Sequence, residues 1–233
     1  MCRAILLAVA FATIASTCAA SEGVILLHGL CRTERSMGRL ASALEAEGYA
    51  VVNVDYPSRE TTIEGMAAST IASALEDPRL ASSEKIHVVT HSLGGILLRQ
   101  YLKTNRIDRL GRVVMLGPPN GGSEVVDALG DSPFFAWVNG PAGRQLGTGS
   151  DSVPNRLGSV DFDLGVIAGD RSINGINSLL IDGPDDGKVS VERTKVAGMH
   201  DHVVLHVVHP YLASNRNAIR ETIHYLRNGR FSR

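Results

Sequence analysis

The stretch Ile86-His87-Val88-Val89-Thr90-His91-Ser92-Leu93-Gly94-Gly95 constrains the fold more than any other part of the chain. Its apolar, β-branched first half fits a strand buried on both faces, and the residues from Leu93 to Thr104 read as a helix. The backbone therefore has to reverse at Ser92 within a residue or two. Gly94 and Gly95 make that reversal feasible, because without side chains the new helix can lie close against the sheet it has just left. A serine that merely capped the helix would leave His91 and the paired glycines without a purpose.

The same alternation continues on both sides of this turn. Buried-type runs at Gly23 to Leu27, Ala50 to Val54, Lys85 to Thr90, Gly111 to Leu116 and Leu164 to Ala168 read as strands. Segments with helical spacing lie at Arg35 to Gly48, Thr61 to Glu76 and Leu93 to Thr104. Strand–helix alternation predicts an α/β sandwich of three layers, with a mostly parallel central sheet and helices on both faces. A chain of 233 residues holds one such domain, placed here at 21–233. Within it, residues 118–163 are rich in Gly, Pro, Ser and Asn around Phe134, Phe135 and Trp137, and are expected to form a partly helical cap over a pocket.

Residues 1–20 differ in kind: Arg3 is their one charge, an apolar stretch follows, and small residues close it. This is the pattern of a signal peptide, too short in its apolar part to span a bilayer, and it predicts a secreted or periplasmic protein. Cys18 fits a lipoprotein cleavage site poorly, so lipidation is the lesser alternative. Loss of Cys2 and Cys18 with the leader would leave Cys31 alone, unable to form an intramolecular disulfide. With 23 Lys and Arg against 24 Asp and Glu, and no basic run beyond the C-terminus, the chain has no electrostatic footprint for nucleic acid.

A serine displayed on a strand-to-helix turn is a nucleophile elbow, usually written G-x-S-x-G; Thr90 stands here where the first glycine is expected. Its hydroxyl needs a base, and the base needs an orienting acid. Four histidines lie late in the chain, and His209, just past an apolar strand read over Val203 to Val208, is best placed over Ser92. His206 falls within that strand, and His200 and His202 precede it. For the acid, Asp170 follows a core strand, whereas Asp186 precedes Gly187 in a turn that can aim a carboxylate. The oxyanion would be held by the backbone amides of Leu93 and of Leu30, the latter carried past Ser92 by His28-Gly29. The pair His200 and His202 around Asp201 is a rival zinc motif that lacks a recognisable third ligand.

Taken together, Leu26-Leu27-His28-Gly29-Leu30, Thr90-His91-Ser92-Leu93-Gly94-Gly95 and Asp185-Asp186-Gly187-Lys188-Val189 resemble the small secreted bacterial lipases and esterases of the α/β-hydrolase superfamily. The resemblance implies the α/β-hydrolase fold, a triad of Ser92, Asp186 and His209, and a pocket wall at Leu116 to Ser123. It implies no metal or organic cofactor, and a small-molecule or lipid ester as substrate, with contact to a lipid surface in the second case. An acyltransferase or thioesterase would use the same residues. A binding protein that keeps the shell without the chemistry is the alternative of a different class.

Overall fold

The apolar runs become six strands of one sheet in a computed structural model that describes residues 22–232; the leader read over residues 1–20 lies outside them. The strands are β1 (Glu22–Leu27), β2 (Ala50–Val54), β3 (Lys85–His91), β4 (Leu110–Leu116), β5 (Leu164–Gly169) and β6 (Asp201–Leu205). Their order across the sheet is β2-β1-β3-β4-β5-β6. Every pairing between them is parallel. All six therefore end on the same edge, where the loops that carry chemistry gather.

The helices are α1 (Gly38–Ala46), α2 (Ile63–Leu75), α3 (Leu93–Leu102), α4 (Glu124–Leu129), α5 (Pro133–Arg144), α6 (Val153–Arg156), α7 (Gly175–Leu180) and α8 (Arg216–Asn228). Strand side chains alternate between two cores, as a period of two requires. Ile25, Leu27, Val88, Met115 and Val166 pack under α2 and α3. Val24, Leu26, Val89, Leu116 and Ile167 pack under α1 and α8. The expected three layers follow from this division.

Two features depart from the sequence reading. The last strand is Asp201–Leu205, not Val203 to Val208, because its ladder with β5 starts at Gly165 opposite Asp201 and stops where β5 ends, at Gly169 opposite Leu205. Val207 and Val208 are apolar because they are buried, not because they pair, and the Val207 amide closes a tight turn on the Leu205 carbonyl at 2.8 Å. His202 consequently lies in the strand and His206 just beyond it. The second feature is α8, which a mean composition dominated by polar residues conceals. Its buried Ala218, Thr222, Tyr225 and Leu226 recur at helical spacing. The Asn215 side chain caps its start by accepting from the amides of Asn217 and Ala218, and Gly229 ends it in the left-handed region.

The segment 118–163 holds α4, α5 and α6 and is tied to the sheet layer through one buried cation. The Arg99 guanidinium, on α3, has no carboxylate partner among the described residues. It donates instead from Nη1 to the Asn120 carbonyl and side-chain oxygens at 3.2 and 3.0 Å, and from Nη2 to the carbonyls of Pro154 and Gly158 at 3.2 and 2.6 Å. Burial without a counterion pulls its pKa down to about 10. The Asn120 amide continues the chain of bonds to the Thr194 carbonyl at 2.8 Å. Replacing Arg99 by Met leaves these acceptors unpaired, and an expected loss of about 2–4 kcal/mol should appear in urea unfolding. Arg99→Lys should recover little of it, since an ammonium cannot reproduce the fork. An unchanged midpoint in Arg99→Met would refute the role of this clamp.

Candidate active site

The strand order turns back at β1, which has β2 on one side and β3 on the other. Loops leaving the carboxyl ends of β1 and β3 diverge there and leave a crevice. Ser92 occupies its floor with φ 52° and ψ −119°, a positive φ that a side chain adopts only when its surroundings impose it. Those surroundings are specific. The Ser92 amide donates to the Leu116 carbonyl at 2.9 Å, and the Gly95 amide donates back to the Ser92 carbonyl at 3.0 Å. A Cβ on Gly94 would stand 2.6 Å from the Leu27 carbonyl oxygen, so α3 can start this close to β1 only with glycine at that position.

His209 reaches Ser92 from the turn after β6, 117 positions along the chain, with its Nε2 3.0 Å from the serine Oγ. Its Nδ1 lies 2.7 Å from Asp186 Oδ2, which is consistent with an Nδ1–H that donates to the carboxylate and an Nε2 free to accept from the hydroxyl. The other carboxylate oxygen of Asp186 accepts the amides of Lys188 at 3.0 Å and Val189 at 2.9 Å. The backbones of the pair are also joined, His209 N–H to the Asp186 carbonyl at 2.9 Å. Asp186 and His209 are both buried. Asp170 is elsewhere: it bonds the exposed His206 at 2.9 Å and takes no part in this group.

Two further histidines support the loops around Ser92. His28 donates from Nδ1 to the Gly29 carbonyl at 2.8 Å, accepts the Tyr56 amide at Nε2 at 3.3 Å, and stacks on the Tyr56 ring at 4.0 Å between centroids. The Tyr56 hydroxyl closes the ring of contacts on the His28 carbonyl. This fixes the loop carrying Leu30, and Gly29 is bare where it passes: a Cβ there would lie 3.2 Å from that of Ser92. The Leu93 amide opens α3, where first-turn N–H groups have no acceptor within the helix. His91, buried behind Ser92, donates from Nε2 to the His209 carbonyl at 3.1 Å.

Beside the Ser92 and His209 side chains lies a cavity of about 250 Å³. Leu30, Val125, Val126, Phe135, Val138 and Leu146 give it apolar walls. Pro119 and Ser123, from the loop read as pocket wall, also line it. Phe135 thus faces inward, while Phe134 and Trp137 of the same helix face solvent. The sequence reading had not singled out Val125, Val126, Val138 or Leu146; Val125 and Val126 lie on α4, Val138 on α5 and Leu146 just past it, too scattered among Gly and Pro to show a period. The pair at His200 and His202 does not converge on a third ligand. His202 Nε2 lies 3.0 Å from the Thr194 hydroxyl, and no cluster of three or more His, Cys, Asp or Glu side chains suited to a metal exists among the described residues.

Residues 24–208 match the model of the alpha/beta hydrolase family. The chain belongs to that family. No curated protein matches it. Among solved structures it is similar to the mature lipase BlEst2 of Bacillus licheniformis, with TM-score 0.72 and 18% identity over 89% of this chain and 92% of that one. It is similar also to the metagenomic carboxyl esterase MGS0156, with TM-score 0.69 and 17% identity over 91% of this chain and 76% of the other. The phospholipase PlaB of Legionella pneumophila aligns with TM-score 0.67 and 21% identity over 91% of this chain and 60% of its own. At these identities the likeness shows the hydrolase fold.

The environment of His91 has a measurable consequence. Burial first, and the neighbouring His209 second, push its pKa down to about 3. An unfolded chain takes up a proton on this ring near its ordinary pKa of about 6.5, while the folded chain stays neutral until about pH 3. Stability is therefore intact above that upper value and is lost as pH falls toward the lower one. His91→Gln keeps an N–H for the His209 carbonyl and removes the titration. Denaturant unfolding between about pH 6 and pH 4 should fall less steeply in this variant, by up to about 1.4 kcal/mol per pH unit. Parallel profiles for parent and variant would sink the assignment.

Proposed function

We propose that this protein is a serine ester hydrolase that works through an acyl-enzyme on substrates with a short apolar acyl group. The observation that carries this reading is the continuous hydrogen-bonded chain from the Ser92 hydroxyl through His209 to the buried Asp186 carboxylate. In the proposed reaction His209 Nε2 takes the proton as Ser92 Oγ attacks the ester carbonyl, and Asp186 stabilises the imidazolium that results. His209 then protonates the departing alkoxide, the ester C–O bond breaks, and the acyl group stays on Ser92. Water, deprotonated by the same ring, releases the acid and restores the hydroxyl.

The amides of Leu30 and Leu93 are assigned as donors to the tetrahedral oxyanion, one on each side of Ser92. The lipase, carboxyl esterase and phospholipase descriptions of the similar structures favour an ester over other acyl substrates. The apolar leader at residues 1–20 supports export of the enzyme.

Turnover of p-nitrophenyl esters tests the assignment directly. Ser92→Ala should reduce it to the background of the fold, and Asp186→Asn should lower kcat by about 10³–10⁴-fold, because His209 loses the partner that fixes its tautomer. Asp170→Asn should leave kcat within about twofold of the parent. Full activity in Ser92→Ala would overturn the mechanism.

The cavity sets the acyl preference. At about 250 Å³ it lies below the roughly 300–1,000 Å³ of pockets that enclose drug-sized ligands. Butyrate and hexanoate esters should therefore exceed palmitate in kcat/KM, and Val126→Trp should move the optimum to acetate. A palmitate optimum in the parent would contradict the proposed acyl site.

A further inference from the structure

Helix α7 is oriented opposite to an ordinary surface helix. Its buried residue is an asparagine, Asn177, whose amide donates to the Gly187 carbonyl at 2.8 Å, and Ser178 beside it donates to the Asp185 carboxylate at 3.0 Å. These polar bonds fasten the helix to the loop that carries Asp186. Its apolar side chains Ile176 and Leu179 are left outside, 75% and 88% exposed, and Ile173, just before the helix, is 71% exposed. An amphipathic helix on a domain that meets only water turns the other way. The three line a depression of about 630 Å³ that His209 and Pro210 also border. His209 faces the Ser92 cavity as well, so this apolar surface is continuous with the candidate active site.

Next to it lies a second depression, of about 560 Å³, lined by Arg39, Arg171, Arg216 and His206. The two adjoin along the chain, since Arg171 precedes Ile173 by two residues and Tyr211 of the basic depression follows Pro210 of the apolar one. No Asp or Glu lines the basic depression. Asp170 touches it through His206, and Arg39, Arg171 and Arg216 have no carboxylate partner among the described residues. Exposed aliphatic side chains beside unpaired guanidinium groups complement the acyl-to-phosphate boundary of an anionic lipid leaflet.

We propose that this face docks on an anionic phospholipid surface, with Ile173, Ile176 and Leu179 entering the interface and Arg39, Arg171 and Arg216 against lipid phosphates. Docked this way, the protein presents the His209 side of its active site to the lipid. The proposal goes beyond ester hydrolysis and concerns binding that needs no turnover.

Co-sedimentation of the full chain with vesicles tests it, comparing phosphatidylcholine alone with a phosphatidylcholine–phosphatidylglycerol mixture. Residues 1–21 are the same in every variant, so whatever they contribute cancels from the comparison. The expected result is about tenfold stronger partitioning into the anionic vesicles. Ile176→Ser with Leu179→Ser should lower it about tenfold, and so should the separate triple variant Arg39→Gln, Arg171→Gln, Arg216→Gln, each with an unchanged circular dichroism spectrum. Equal binding to both vesicle types overturns the proposal, as do variants that partition like the parent. So does a serine double variant that converts a dimer to a monomer without changing vesicle binding, since the face would then belong to a second copy.

Discussion

The positive φ of Ser92 is the constraint on which the rest of this molecule depends. A side chain in that region is disfavoured, and the folded state keeps it there through bonds on both flanks: the Ser92 amide to Leu116 and the Gly95 amide back to the Ser92 carbonyl. Those bonds require β4 beside β3 and α3 pressed on β1, so the strain is distributed over the centre of the sheet. The two hydrophobic cores stabilise this centre from opposite faces, and the strain at one residue is small against what they bury.

Around the serine the polar groups are arranged so that few of them carry charge. His91 is neutral by burial, and the pKa of His28 is likewise lowered by burial while its ring stacks on Tyr56 and bonds on both edges. These rings serve as rigid uncharged brackets between loops, each fixing a backbone carbonyl or amide. Neutral brackets add no charge of their own beside Ser92, where the Asp186 carboxylate, the nearby Lys188 and the backbone dipoles of the turn act.

The parts legible in the sequence were those governed by local rules. Strand–helix alternation, the glycines behind Ser92 and the glycine after Asp186 each express a steric need within a few residues. They located the five strands through β5, the strand-to-helix turn at Ser92 and the turn that holds Asp186. What escaped was set at a distance. β6 begins and ends where β5 permits, so an apolar run that continued through Val208 misled the reading of its limits. Helix α8 is recognisable from its five buried positions once the uncovered second face of the sheet is known, and its polar surface hides it before that. Asp186 and Asp170 could not be separated by local rules, because both follow plausible turns. The geometry around His209 distinguishes them: one carboxylate meets its ring and the other pairs with His206 on the surface.

The 117 positions between Ser92 and His209 have a further consequence, in the order of assembly. Contacts this far apart in sequence form late in folding, because a long loop must close before they return any stabilisation. Ser92 can take up its place once β1, β3 and β4 have paired. His209 arrives only after β6 has zipped onto β5 and the turn beyond it has docked. The contact between Ser92 and His209 is thus the last to be completed, and it waits on the part of the chain from Asp201 onward.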